Sequence, residues 1–139
     1  MTKDVIGEFT TPTVGLRMTD GTICAGISPG TGKLMYTTPE DAPRQYTFAD
    51  APKYAQRLNR ERAFGYSDWR VPSEDELDVL FKNRDAIGGF DQTGVRPQGW
   101  YWSSSQKKPG NHARGQRFSD GHRSSTNARA GASLRCVRG

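Results

Sequence analysis

The segment with the clearest catalytic pattern is residues 26–30, which read Gly-Ile-Ser-Pro-Gly. This run matches the G-x-S-x-G of a nucleophile elbow, which presents its serine on a turn from a strand into a helix. Here proline and glycine follow Ser28 and another strand-like run comes next, so we expect a hairpin turn. Residues 30–33 resemble a phosphate-binding loop, but Leu34 stands where serine or threonine is needed and no helix follows. Neither motif predicts an enzyme.

Two histidines, His112 and His122, are the remaining candidates for metal or acid–base chemistry. Pairing strands across a two-residue turn at residues 120–121 places His122 opposite Ser119 and His112 near Arg129. The histidines are then too far apart to share a metal ion, and we expect loop positions that contact solvent or ligand. The sequence therefore predicts no catalytic constellation, no metal site and no cofactor.

Three tryptophans could stack against nucleic-acid bases or sugar rings. Leu, Ile, Val and Phe supply only 22 of the 139 residues, so tryptophans are needed to fill the core. We expect Trp69 and Trp102 to do so, whereas Trp100 is open to either role and is kept among the ligand-contacting candidates. With 14 aromatic residues in all, the chain is predicted to fold despite its shortage of aliphatic residues.

The elements that would position these residues come in the order strands, two helices, strands. Ser73 and the three acids after it form a capping box, which predicts the start of one helix. The other predicted helix covers residues 48–62, with Thr47 or Asp50 as its N-cap and Pro52 tolerated in its first turn. Predicted strands cover residues 13–18, 22–27, 33–37, 100–105, 114–118, 122–126 and 133–138. This order is typical of a single α+β domain.

Charge is distributed unevenly along the chain. The first 95 residues carry 11 Lys/Arg and 14 Asp/Glu, whereas residues 96–139 carry nine Lys/Arg and one acid, a net charge of +8. Such an asymmetry points to an anionic partner: nucleic acid, a sulfated or carboxylated glycan, or an acidic protein face. A basic surface that only keeps the protein soluble explains it equally well.

Cys24 and Cys136 are too few for a disulfide-rich scaffold or a cysteine zinc motif. We expect buried free thiols, because one bridge would need neighbouring strands and an oxidising compartment. No apolar run approaches the ~20 residues of a membrane span, and no signal-peptide core is visible. We therefore expect no membrane-spanning segment.

Four motifs in a fixed order resemble one known family. They are residues 64–73 (FGYSDWRVPS) followed by Glu76-Leu77, residues 99–105 (GWYWSSS), residues 117–121 (RFSDG) and residues 134–138 (LRCVR). Over residues 13–138 this pattern is similar to bacterial and phage domains that resemble the C-terminal domain of a collagen-like adhesin. These are C-type-lectin-like folds, distantly related to the formylglycine-generating enzyme, and they include variable proteins of diversity-generating retroelements.

The resemblance implies an α+β, C-type-lectin-like fold: a twisted antiparallel sheet, two helices packed on it, and N- and C-terminal strands side by side, which would bring Cys24 toward Cys136. One domain would cover residues 1–139, with a flexible arm at 1–12 and a ligand-presenting segment at 103–133. The candidate ligand-contacting residues are Trp100, Gln106, Lys107, Asn111, His112, Arg114, Gln116, His122, Arg123, Ser125 and Asn127. The calcium carboxylates of true lectins and the active-site cysteines of the enzyme relative are not matched.

These features predict a non-enzymatic recognition module with a macromolecular ligand, either a protein or an anionic glycan. In the adhesin relative the domain is associated with sulfated glycosaminoglycans, which suits the basic segment. A nucleic-acid-binding domain using the basic face of residues 96–139 is the main alternative; an oligomeric structural subunit and a degenerate enzyme are two others. Arg, Ser, Gly and Ala dominate the ligand-presenting segment instead of the Asn and Tyr of diversified relatives, so its diversification stays open. We expect a cytoplasmic or phage-particle-associated protein.

Overall fold

A computed structural model describes residues 12–95, 99–107 and 111–139 of the chain. The predicted N-terminal arm therefore lies outside the described residues, apart from Pro12. Among the described residues, two strands precede three helices and four strands follow them, which is the predicted α+β order. The elements are β1 Ile23–Ile27, β2 Leu34–Thr37, α1 Ala51–Arg60, α2 Glu74–Lys82, α3 Arg84–Ile87, β3 Trp100–Lys107, β4 His112–Arg117, β5 Arg123–Asn127 and β6 Val137–Arg138.

The predicted hairpin turn between β1 and β2 is confirmed. The N–H of Ser28 donates to the carbonyl of Lys33, and the N–H of Gly32 donates to the carbonyl of Ser28. The two strands pair antiparallel on either side of this turn. The serine of the G-x-S-x-G run is buried, and its hydroxyl donates to the Glu76 carboxylate at 2.6 Å. This serine therefore fastens the hairpin to α2.

The strands form two three-stranded antiparallel sheets rather than the single expected sheet. In the first, β2 lies between β1 and β6, so the N- and C-terminal strands are not side by side. The second has the order β3-β4-β5. The C-terminal segment joins the sheets, because Ser133 bridges Tyr101 of β3 and Val137 pairs with Thr37 of β2. Since this segment passes from one sheet to the other, the predicted strand 133–138 shortens to the two residues of β6.

Helix α1 is shorter than predicted. It begins at Ala51 instead of residue 48, because Pro52 lacks a backbone N–H and is accommodated in the first turn, with Asp50 as the N-cap. It ends at Arg60, and two residues later Arg62 adopts a left-handed φ of 51°. Residues 47–49 are consequently a loop that leads into the helix.

Helix α2 begins at the predicted capping box. The Ser73 hydroxyl accepts from the N–H of Glu76 at 3.1 Å, and the Glu76 carboxylate accepts from the N–H of Ser73 at 3.0 Å. The short helix α3 follows directly after Asn83, which is the C-cap of α2. Within the described residues, no helix combines the length and apolar character needed to cross a membrane.

Strand β3 separates two hydrophobic cores. Trp100 and Trp102 belong to one core and Tyr101 to the other, because successive residues of a strand face opposite sides. The first core is covered by α1 and the C-terminal segment, and the second packs between α2 and the first sheet. Both Cys24 and Cys136 are buried and free, so the expectation of unbridged thiols is confirmed.

The β4–β5 hairpin is paired two positions away from the predicted register. His112 lies opposite Asn127, and the N–H of Arg117 donates to the carbonyl of His122. The reason is that the turn uses the four residues 118–121 rather than two. A shift of two positions keeps every side chain on its predicted face, because side chains alternate with a period of two.

Candidate functional site

Helix α2 presents three carboxylates to the β4–β5 hairpin, which carries many of the predicted ligand-contacting residues. Arg114 Nε lies 3.0 Å from Glu74 Oε1. The guanidinium of Arg123 lies 3.1 Å from Asp78 and 3.7 Å from Asp75. These two arginines therefore attach the hairpin to α2, and their charges are already compensated before any ligand arrives.

Gln116 is enclosed in the same contact. Its side-chain amide donates to Asp78 Oδ1 at 2.9 Å and to the carbonyl of Gly121 at 3.1 Å, and the residue is 1% exposed. Burial opposes ionisation of Asp78, but hydrogen bonds from Gln116 and Lys82 and the charge of Arg123 hold its pKa below the usual value. The structure thus places Gln116 inside the molecule, where it positions the hairpin against the helix.

Trp100 and His122 lie at the turn end of the second sheet. The Trp100 side chain is 5% exposed and meets the His122 ring edge-on, with centroids 6.1 Å apart. The Arg117 guanidinium lies 5.4 Å from the centroid of the Trp100 ring system. A tryptophan enclosed to this extent has little surface for stacking on a base or sugar, so packing is its main role. His122 remains exposed.

The opposite end of the hairpin opens into a cleft of about 690 Å³. The predicted ligand-contacting residues that line it are Gln106, Asn111, His112 and Asn127. The other lining residues are Thr47, Phe48, Ala49, Ala128 and Arg129. Ser125 lies further along β5, where its hydroxyl accepts from Arg114 at 3.3 Å. The side chain of Lys107 falls outside the described residues.

Backbone hydrogen bonds hold the walls of the cleft in place. The N–H of Phe48 donates to the carbonyl of Ala128 at 2.9 Å, and the N–H of Ala128 donates to the carbonyl of Asn111 at 2.8 Å. The Phe48 ring meets Trp102 edge-on, with centroids 5.7 Å apart. The loop before α1 is therefore anchored both to the second sheet and to the core.

The lining includes groups that can bind a polar ligand. Side-chain amides of Asn111 and Asn127 can donate and accept hydrogen bonds, and an arginine can hold a carboxylate, sulfate or phosphate with two parallel bonds. Arg129 is exposed and pairs with no carboxylate of the described residues. Its guanidinium is therefore available to an anionic group in the cleft.

Most of the described cations in the basic C-terminal third are paired with carboxylates. Besides the pairs with α2, the ion pairs are Arg117–Asp120, Arg135–Asp41 and Arg138–Asp68. Arg135 is fully buried and also donates to the carbonyls of Thr38 and Gly88. Of the six cations in residues 96–139 whose side chains are described, five are therefore compensated by a carboxylate, and four of these five pair with carboxylates of the first 95 residues.

Sequence reasoning missed the wall formed by residues 47–49. It includes Phe48 in the predicted helix 48–62, whereas the helix begins at Ala51. Pro52 was the signal that could have corrected this, because proline in a first helical turn places the helix start one or two residues before it. The sequence analysis counts Arg129 only as part of the basic segment. In the structure its N–H donates to the side-chain oxygen of Asn127 at 2.9 Å, and both residues line the cleft.

Comparison with known proteins supplies the family. A family model for the Lcl C-terminal domain matches residues 27–138, which include the three helices, the whole second sheet and all residues of the cleft. No curated protein matches the chain. The match covers well over half of the chain, and the predicted resemblance to the C-type-lectin-like, variable-protein type is confirmed. The chain belongs to the family of Lcl C-terminal domains.

Proposed function

We propose that this chain is a non-enzymatic recognition module that binds an anionic glycan in the cleft between residues 47–49 and the open end of the β4–β5 hairpin. The observation that carries the proposal is the cleft itself, where four predicted ligand-contacting residues surround a space of about 690 Å³ beside Arg129, which pairs with no carboxylate of the described residues. Clefts of ~300–1,000 Å³ are typical of sites that enclose a small ligand or part of a larger one.

The chemistry of the lining matches a charged sugar. Sugar hydroxyls both donate and accept hydrogen bonds, as do the side-chain amides of Gln106, Asn111 and Asn127. Phe48 offers an apolar wall for the C–H face of a ring, and Arg129 supplies a forked donor for a carboxylate or sulfate. A protein ligand with an acidic side chain would use the same groups, and it is the alternative outcome of a binding screen.

Rigidity supports the same proposal. The cleft stands on a three-stranded sheet that is ion-paired to α2, so its walls need little ordering when a ligand binds, which lowers the entropy cost.

We take the fold to be C-type-lectin-like, supported by the family and by the return of the C-terminal segment across both sheets. Membership of a diversity-generating retroelement is part of this proposal; it is tested by looking for a neighbouring reverse-transcriptase gene with a template copy of residues 100–138.

The described residues favour the glycan over the alternative of a nucleic-acid-binding domain. It rests on the basic face of residues 96–139, yet Arg114, Arg117 and Arg123 are paired with carboxylates. Strong electrostatic binding to nucleic acid needs several cations free to contact phosphates and release counterions. Among the described cations of this face, Arg129 is the one that pairs with no described carboxylate.

The test is a binding screen of the purified protein against carboxylated and sulfated glycans, nucleic acids and proteins at two salt concentrations. The double variant N111A/R129Q should bind its glycan at least tenfold more weakly with an unchanged melting temperature, since both side chains are exposed. Arg17→Gln, an exposed arginine away from the cleft, is the matched control and should bind normally. Equal affinity of N111A/R129Q and the unaltered protein would refute the proposal.

A further inference from the structure

A second groove, of about 240 Å³, lies beside α1 and is separate from the glycan cleft. Its lining is strongly basic: four cationic side chains, one carboxylate and two tyrosines. The residues are Arg44, Tyr46, Asp50, Lys53, Tyr54, Arg57 and Arg60. This concentration of cations is not a consequence of composition, because the first 95 residues carry more acids than bases.

Helix periodicity places three of these cations on one face. Lys53, Arg57 and Arg60 are separated by four and three residues, so their side chains lie one above the other along α1. At ~1.5 Å of rise per residue, the row is about 10 Å long. Arg44 approaches the same groove from the loop before the helix. The arrangement is a short row of positive charges with a fourth facing it.

The positive charge of the groove is only partly compensated. Arg44 and Arg60 pair with no carboxylate of the described residues, whereas Lys53 lies 3.5 Å from Asp50 and Arg57 lies 3.0 Å from Glu61. All four partners of these two pairs are more than half exposed. Exposed ion pairs are weak and screened by salt, so an incoming anion can compete with both carboxylates.

The aromatic residues give the groove a fixed shape. Tyr46 is buried and its ring lies 5.2 Å from that of Tyr54, which is half-buried. The Arg44 guanidinium lies over the Tyr46 ring, 5.2 Å from its centroid. This cation is therefore held against a rigid surface instead of moving freely in solvent.

We propose that this groove is a second binding site, which takes a ligand carrying two or more tetrahedral oxyanions, phosphate or sulfate groups, spaced along about 10 Å. The row of cations on α1 matches such a series of charges, and the forked donors of Arg44, Arg57 and Arg60 suit their oxygens. The proposal does not depend on the glycan cleft. Thr47, Phe48 and Ala49 line that cleft, whereas Asp50 and Lys53 line this groove, so the two sites lie on either side of the start of α1.

The test uses two probes, sodium tripolyphosphate and sucrose octasulfate, titrated calorimetrically into the intact protein at low salt. We expect one binding event per chain with at least one of them, and the probe that binds identifies phosphate or sulfate as the preferred group. The variant R44Q/R60Q should weaken this binding at least tenfold. The variant R17Q/K33Q removes the same charge from exposed positions elsewhere and should change the affinity less than twofold.

Three results would overturn the proposal: no binding of either probe, equal losses in R44Q/R60Q and R17Q/K33Q, or loss of probe binding in the cleft variant N111A/R129Q. The last variant also separates the two proposals. Failure of the glycan cleft would leave tripolyphosphate or octasulfate binding intact, and failure of the groove would leave glycan binding intact. Circular dichroism of each variant confirms that α1 is folded before affinities are compared.

Discussion

The guanidinium of Arg114 and the carboxylate of Glu74 form an ion pair, with Nε and Oε1 3.0 Å apart, that links the hairpin of the second sheet to helix α2. Both side chains are mostly shielded from solvent. Together with Arg123 and Asp78 this pair holds the base of the proposed ligand-binding surface. An arginine that the sequence nominates for ligand contact is therefore a link within the fold.

Arg114→Gln should reduce stability rather than ligand affinity. Removing one partner of an ion pair that is mostly shielded from solvent costs about 1 kcal/mol of unfolding free energy. Urea denaturation should show a lower midpoint with an unchanged slope, and E74Q/R114Q should lose less than the sum of the two single variants. Arg129→Gln, at an exposed residue that pairs with no carboxylate in the described part of the chain, is the control and should stay within about 0.5 kcal/mol of the unaltered protein. Identical urea midpoints for R114Q and R129Q would contradict this role of Arg114.

Glu76 should make stability depend on pH in the acid range. Burial opposes ionisation of its carboxyl, but hydrogen bonds from Arg70 and Ser28 hold the pKa below the usual value of a glutamate, 4.5. A carboxyl whose pKa is lowered by folding stabilises the protein above its unfolded pKa, and this contribution disappears as the pH falls through the lower folded value. The free energy of unfolding should therefore decrease on acidification below pH 4.5.

The matched variant is Glu76→Gln. At neutral pH it should be less stable by about 2 kcal/mol, because Arg70 and Ser28 lose a charged partner. On acidification this variant should lose less stability than the unaltered protein. Some pH dependence of the free energy of unfolding should remain, because folding also lowers the pKa of Asp78. Chemical denaturation at several pH values measures both effects. Parallel curves of unfolding free energy against pH for the unaltered protein and E76Q would show that Glu76 is not the source of the pH dependence.

Gly121→Ala should be far more costly than Gly32→Ala. Both glycines have a positive φ, 84° and 73°, which an alanine adopts with strain. At Gly121 the added Cβ would also lie 2.5 Å from a carbon of the Phe81 ring, whereas nothing lies within 4 Å at Gly32. We expect losses of about 1 kcal/mol at Gly32 and at least ~2 kcal/mol at Gly121 by thermal denaturation. Equal losses would mean that the hairpin turn is not pressed against α2.

Cys136 should be unreactive in the folded protein. Burial raises the pKa of its thiol to about 12, so almost no thiolate exists near neutral pH. A thiol-specific chromogenic reagent should react with Cys136 only after denaturation, at a rate set by unfolding. Rapid labelling of Cys136 in the native state, located by mass spectrometry, would overturn this expectation and revive the alternative of an enzyme related to the formylglycine-generating type.

Local chemistry in the sequence was enough for several elements. The capping box at Ser73, the Ser28 turn and the packing role of Trp102 all depend on neighbours within a few residues or on hydrophobicity alone, and all three are found in the structure. The order of strands and helices and the family followed from the same local motifs. Even the register error of the β4–β5 hairpin left the faces correct, because it was an even number of positions.

Long-range pairing decided the rest. The sequence shows nine cations in the last third but not the partners, 40 residues or more away, that neutralise Arg114, Arg123 and Arg135. It likewise does not reveal that residues 47–49 meet residues 111 and 128 to form a cleft. Electrostatic and packing contacts of this kind depend on distances in space. Only folding sets those distances, so the tertiary structure alone shows which cations, Arg129 among them, are left for a ligand.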